Sequence, residues 1–350
     1  MLTSEFSAVD GPLAWSDDPE ERLRQIAELD AAAAEHVHRG KPANTRRAYA
    51  DDYRVWVLFT KTLGLPAQTC TAGLLVMFTL WLDRGHQALD EAGRLDRARS
   101  VTASAPSTIR RRLYGAVAEL RYRGVDVPAH ATALAFENIK AIERRLAEDG
   151  EQRGRGKAEA LTITAIRAIC AGFPDTLTGL RDRALLLIGF GIAGRRAELA
   201  ALTVTDIDDD PHGLVVTVRV SKTKTRTVPI PYGAHRETCP VRAWQAWKAA
   251  AGLVDGHAFR SIDRWGNLGA GMSGKYVGEA VTAAGRRAGI TIHYTGHSVR
   301  AGFATEARRA SHDVAAIAAQ GGWEPTSRVL FGYIRIVDQW TDNALIGIGL

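Results

Sequence analysis

Apolar residues recur every three or four positions through most of the chain, the period of helices with one buried face. A charged, alanine-rich stretch at about residues 19–38 reads as a first helix behind a weakly ordered arm at 1–18. Lys41-Pro42-Ala43-Asn44 opens a second, with Asn44 or Thr45 as its cap. Ala48, Tyr49, Tyr53, Trp56 and Phe59 then keep helical spacing until Gly64 and Pro66 close it. A third helix is expected at about 71–83, a fourth from Ser107 to a stop at Gly124, and a fifth at about 131–147 with Ile139, Ile142 and Leu146 on one face. The run from Glu148 to Lys157 has no apolar period and is punctuated by glycine, which marks a linker.

Beyond it, helices near 164–172 and 178–193 give way to period-two alternation at 214–220 and 227–230. These two strands form a β-hairpin whose turn holds Ser221-Lys222-Thr223-Lys224-Thr225. Helices follow at about 240–251, 274–288, 297–309, 313–320 and 326–335. The expected fold is mainly α. It has an arm and helix at 1–39, an all-α domain at 40–150, a linker at 151–157, and a mostly helical domain with a small antiparallel sheet at 158–350.

Composition narrows the class without naming a chemistry. With 350 residues, 46% hydrophobic and 24% charged, the chain fits two ordinary globular domains. The longest apolar stretch, 184–194, falls short of the roughly 20 residues a bilayer span needs, and residues 1–10 carry no secretory pattern. Cys70, Cys170 and Cys239 are odd in number and widely separated, as expected of reduced thiols in the cytoplasm. The net charge of +6, carried largely by arginine, suits a polyanionic partner.

Candidate chemistry gathers near the C-terminus. Gly296-His297-Ser298-Val299-Arg300 is followed by Gly321-Gly322-Trp323 and then by Tyr333 within Phe331-Gly332-Tyr333-Ile334-Arg335. A cation, an imidazole, an indole N–H and a phenol are the groups needed to hold a phosphate and attack it. Singly, each has an ordinary reading as a solvated helix face, a cap or a core aromatic. Far upstream, Arg195-Arg196-Ala197-Glu198-Leu199 follows a long apolar helix and, alone, reads as a surface turn with an ion pair.

The order of these elements changes that. Arg195, a hairpin lysine, His297-x-x-Arg300, Trp323 and Tyr333 resemble, in sequence, the tyrosine recombinases of the phage integrase family. The resemblance spans roughly residues 41–335. It takes in Ser107-Thr108-Ile109-Arg110-Arg111-Arg112-Leu113, the passage from Ile142-Glu143-Arg144-Arg145 to Ala158-Glu159-Ala160-Leu161, and a Gly-Gly-Trp variant similar to Cre-type members. Much of the wider family has histidine where Trp323 stands. An indole donates but cannot shuttle a proton, so Trp323 is expected to bind and pack.

The resemblance implies a site-specific DNA strand transferase in which two domains clamp DNA. Tyr333 is its nucleophile and forms a 3'-phosphotyrosine. Arg195, Arg300, His297 and Trp323 face the phosphate, with His297 open between donor and general base. The proton for the leaving oxygen falls to Lys222, whose Ser221-Lys222-Thr223 context matches better, or to Lys224. Glu198 orients the cations. Arg46, Arg47, Arg110, Arg111, Arg112, Arg121 and Arg123 are the expected DNA contacts of the first domain. The implied partners are double-stranded DNA with inverted half-sites and further copies of the chain, tetrameric at synapsis through the apolar tail at 342–350. No cofactor, metal or membrane is implied.

Other readings remain beside it. A catalytically silent DNA-binding protein would share the arginines, and a type IB topoisomerase would share the chemistry without an ordered partner. Gly189-Phe190-Gly191-Ile192-Ala193-Gly194 satisfies a dinucleotide fingerprint, but Asp206–Asp210 precede the next strand rather than end it. That acidic run could ligate Mg²⁺ in a nuclease. The Pro211-His212-Gly213 stop behind it favours a solvated turn.

Overall fold

A computed structural model describes residues 15–154, 156–219, 225–341, 343 and 345–348. The chain divides into two compact units, Met1–Gly156 and Lys157–Leu350.

The first unit is built from α1 (Pro19–Gly40), α2 (Ala43–Thr62), α3 (Ala72–Arg84), α4 (Pro106–Tyr122) and α5 (Ala129–Glu148). α2 packs on α4 and α3 on α5, burying Trp56, Phe59, Phe78, Leu82, Ile109, Leu113 and Ile139 in one core. Gly115 sets the α2–α4 approach: a Cβ there would lie 2.5 Å from Oδ2 of Asp52. That buried carboxylate accepts from Arg111 Nη1 at 2.6 Å on both oxygens. Thr71 caps α3 by accepting from the Leu74 N–H. Two expected starts are corrected. α2 begins behind Pro42 rather than at an Asn44 or Thr45 cap, and α4 begins with Pro106, its fixed φ suited to a first helical position. The segment between α3 and α4 carries isolated antiparallel bridges, His86 with Val101 and Leu89 with Leu95, that no alternation announces.

The second unit contains α6 (Ile163–Ala171), α7 (Leu177–Gly191), α8 (Arg196–Ala201), β1 (Ile207–Asp210), β2 (Gly213–Val218) and β3 (Arg226–Pro231). It continues with α9 (Pro240–Ala250), β4 (Arg260–Ile262), β5 (Leu268–Gly271), α10 (Gly274–Arg287), α11 (Gly296–Arg309), α12 (Val314–Gly321) and α13 (Arg328–Thr341). β1, β2 and β3 form an antiparallel sheet in that order, with Val216 paired to both Ile207 and Val228. The acidic run is therefore not a solvated turn. Residues 207–210 are the edge strand β1, and Asp206 is buried, accepting from the Thr203 N–H and hydroxyl and from Arg219. The β4–β5 hairpin was not expected either, because its strands are too short for a period to register.

The supposed dinucleotide glycines serve packing. Gly189 and Gly191 lie in α7, where a Cβ would meet Leu199 and Ile230 at 2.9 and 3.0 Å. A large core surrounds Leu185, Trp244, Trp247 and Phe259. A smaller one joins Ala193, Phe303, Ile317, Leu330 and Ile334, with Trp323 and Tyr333 packed against it. Among the described residues no helix is long and apolar enough to cross a membrane.

Candidate active site

The site begins where α7 ends. Gly194 N–H returns to the Gly189 carbonyl at 2.8 Å, and Ala193 takes a left-handed φ of 47°, turning the chain so that Arg195 precedes α8. The Arg195 N–H donates to Oε2 of Glu198 at 3.1 Å, and its guanidinium reaches Oε1 of the same carboxylate. Glu198 is only 2% exposed. Arg226, which opens β3, donates from Nη2 to Glu198 Oε2 at 2.9 Å and to the Ile192 carbonyl at 3.1 Å, and from Nε to the Gln320 carbonyl at 3.2 Å. Burial alone would raise the Glu198 pKa. Hydrogen bonds from Arg226 and Arg195, with the charge of Arg226, overcome that and hold it below the usual carboxylate value.

α11 supplies the second part. Thr295 caps it, accepting from the His297 N–H at 3.3 Å, and Ser298 Oγ reciprocates to the Thr295 N–H at 3.0 Å. His297 and Arg300, three positions apart, then share one helix face. Arg300 is 4% exposed. Its Nη1 donates to the Ala193 and Gly321 carbonyls at 2.5 and 2.6 Å, and its guanidinium carbon lies 3.6 Å from the Trp323 ring centre. The Trp323 and Tyr333 rings meet edge to face at 6.4 Å. The Tyr333 carbonyl accepts from Thr305 on α11 at 3.5 Å.

Burial first, and then the charge of Arg195, push the Arg300 pKa down to about 9, still above neutrality. His297 is solvent-exposed as a residue. Partial desolvation, followed by the charges of Arg196, Arg300 and Arg195, lowers its pKa below the ordinary 6.5. Neutral imidazole, one donor and one acceptor, is thus the main form at pH 7. Two guanidinium nitrogens in this cluster, Arg300 Nη2 and Arg226 Nη1, are buried without a hydrogen-bond partner among the described residues. Leaving such a donor unpaired costs about 1–3 kcal/mol, more when charged. An arriving anion would recover that cost.

The structure brings Arg195, Glu198, Arg300, Trp323 and Tyr333 into one cluster, with His297 beside it. Lys222 and Lys224 lie outside the described residues, between β2 and β3. Arg226 was missed in the sequence: it stands one residue before the apparent strand and looked like part of a basic turn.

In the first unit, the seven expected DNA-contacting arginines differ in how they are held. Arg111 pairs with Asp52, Arg110 with Glu143 and Arg123 with Glu119. Arg46, Arg112 and Arg121 donate to the Arg39 carbonyl, Ser104 Oγ and the Val127 carbonyl. Arg47 is exposed on α2.

Gly321 is a sharp constraint, because a Cβ there would lie 1.9 Å from the Trp323 ring. Gly321→Ala must therefore displace the indole from the Arg300 face. We expect single-turnover strand cleavage to fall about 10²-fold, the lower end for losing one preorganised donor, with DNA binding retained. Unaltered cleavage would show that the indole position does not matter.

The sequence profile of the Phage integrase family matches residues 159–339. The chain belongs to that family and is a tyrosine recombinase, an enzyme of site-specific recombination. It is 29% identical over 334 residues to an integrase/recombinase XerD homolog of Selenomonas ruminantium, covering 93% of this chain and 91% of that protein. Over 140 residues, 40% of each chain, it is 34% identical to the tyrosine recombinase XerC of Xanthomonas campestris pv. campestris. Its fold is similar to that of a lambda integrase dimer bound to a COC' core site, with a TM-score of 0.55 and 17% identity over 88% of this chain and 94% of that one. It is also similar to XerH recombinase bound to palindromic difH substrate in a post-cleavage complex, with a TM-score of 0.54 and 14% identity over 94% and 90% of the two chains.

Proposed function

We propose that recombination by this chain proceeds through Tyr333. Its hydroxyl oxygen attacks a DNA phosphorus, forming a tyrosyl–phosphate bond as the bond to the 5'-oxygen breaks. Arg195, Arg300, His297 and the Trp323 indole bear on the nonbridging oxygens, and Glu198 orients the cations. The departing 5'-oxygen takes its proton from Lys222, with Lys224 second. Attack by a DNA hydroxyl on the 3'-phosphotyrosine then rejoins a strand, so bond energy is kept and neither metal nor ATP is consumed. His297 enters as a donor or as the base that takes the Tyr333 proton.

The observation that carries this reading is the pair of buried, unpartnered nitrogens, Arg300 Nη2 and Arg226 Nη1, in the cluster that also holds Tyr333. Buried polar groups in folded proteins are as a rule hydrogen-bonded; of the few unpartnered ones here, these two belong to guanidinium groups of the Tyr333 cluster, and an anionic phosphate is the complementary partner.

Residues 40–150 serve in this reading as the DNA-binding domain, 151–157 as a linker and 158–350 as the catalytic domain. Double-stranded DNA with inverted half-sites is the substrate, and four copies assemble at synapsis. Similar folds include a lambda integrase tetramer bound to a Holliday junction, with a TM-score of 0.53, which supports DNA and further copies of the chain as partners. Exposed Leu345, Ile346 and Ile348 suit the tail for a contact between copies.

A pool of nicked suicide duplexes, randomised across the site, tests the chemistry. A covalent adduct should form in EDTA, with the DNA-linked peptide mapping to Tyr333. An adduct on another residue, or none, refutes the proposal.

A further inference from the structure

Arg196 is exposed, yet its side chain runs through a channel made of missing Cβ atoms. A Cβ on Gly296, at the start of α11, would lie 2.3 Å from Arg196 Cγ and 2.6 Å from Cδ. One on Gly278 of α10 would lie 2.9 Å from Cδ and 3.1 Å from Nη1. Gly274, a turn earlier on α10, would meet the Arg196 carbonyl oxygen at 3.5 Å. Surface arginines ordinarily sample many rotamers, and no such channel is needed to tolerate one. Close helix packing would account for glycines facing a neighbouring backbone. At Gly278 and Gly296 the neighbour is instead the arginine stem.

The head that this channel positions has no acidic partner and no hydrogen bond among the described residues. It lies close enough to His297 to be the leading charge acting on that ring, ahead of Arg300 and Arg195. With no acidic partner among the described residues, a guanidinium held at this place is available to an anion.

We infer that Arg196 binds a nonscissile DNA backbone phosphate next to the one Tyr333 attacks, and that the glycines at 278 and 296 exist to aim it. This rests on the proposed function, since it needs DNA in this site. Arg195 and Arg300 serve the reacting phosphate, whereas Arg196 sets the register of the strand beside it.

The test uses a duplex recovered as a covalent adduct, with binding measured in a full-length Tyr333→Phe background so that no cleavage intervenes. Each lost phosphate contact should lower the slope of log affinity against log salt by about 0.9. Adding Arg196→Met should lower it by that amount, and Arg196→Lys should preserve it. Gly278→Ala leaves net charge unchanged but moves the head aside, so it should lower the slope as Arg196→Met does. A normal slope in Gly278→Ala overturns the aiming role. An unchanged slope in Arg196→Met, with wild-type protein still forming the Tyr333 adduct, overturns this inference and leaves the proposed function standing. Loss of the adduct in wild-type protein overturns the proposed function instead.

Discussion

Replacing Tyr333 with phenylalanine should lower strand cleavage by about 10⁴-fold or more, the scale seen when a covalent nucleophile is removed, while DNA affinity stays close to wild type. The separation follows from the packing. The Tyr333 ring meets Trp323 edge to face at 6.4 Å and packs on the cluster containing Leu330 and Ile334. Phenylalanine keeps the ring and leaves no cavity. Trp323 therefore stays over Arg300, and the cationic surface offered to DNA is unchanged. Single-turnover cleavage and equilibrium binding on one duplex distinguish the two effects. Residual cleavage in the Phe variant above about 1% of wild type would place the nucleophile elsewhere.

The second large effect is expected at Glu198. Its carboxylate lies between Arg195 and Arg226, and Arg226 is itself only 9% exposed. Glu198→Ala would leave buried cations without a counter-charge, a loss of about 3–5 kcal/mol when one partner of a buried pair is removed. Glu198→Gln keeps the volume and one acceptor and should cost less. Because the folded-state pKa is depressed below 4.5, the unfolded chain binds a proton here first as pH falls. The stabilisation is therefore present above about pH 4.5 and lost as pH drops through the depressed value. Glu198→Gln should lack that acid limb. Hydrogen exchange in peptides covering α8 and β3, between pH 3.5 and 7, would follow the second unit alone. Equal acid sensitivity in wild type and Glu198→Gln would show that the carboxylate does not carry this stability.

Much of the helical framework was legible because its apolar stripes are long, as in the Trp56 and Phe59 face of α2. Short strands were not. Asp206–Asp210 looked solvated because four aspartates read as polar, whereas β1 is an edge strand that leaves Asp208 and Asp209 in water and buries only Ile207, with Asp206 buried just ahead of it. The side chains at 195, 198, 297, 300, 323 and 333 were nameable from their types and order. What holds them was hidden, because Arg300 is gripped by backbone carbonyls and any residue could supply those. Arg226 escaped for a related reason: its bonds to Ile192 and Gln320 depend on where the chain passes, and spacing along the sequence does not record that.

Ala193 shows what such anchoring demands of one position. Left-handed backbone costs a residue with a Cβ roughly 1–2 kcal/mol, and glycine would relieve it. Yet the Ala193 methyl is wholly buried in the cluster that underlies Tyr333, and its carbonyl holds Arg300. A glycine there would make the turn easier and its direction less certain. The position exchanges conformational ease for a fixed aim, so a relative carrying glycine would be expected to fold more readily and hold its arginine more loosely.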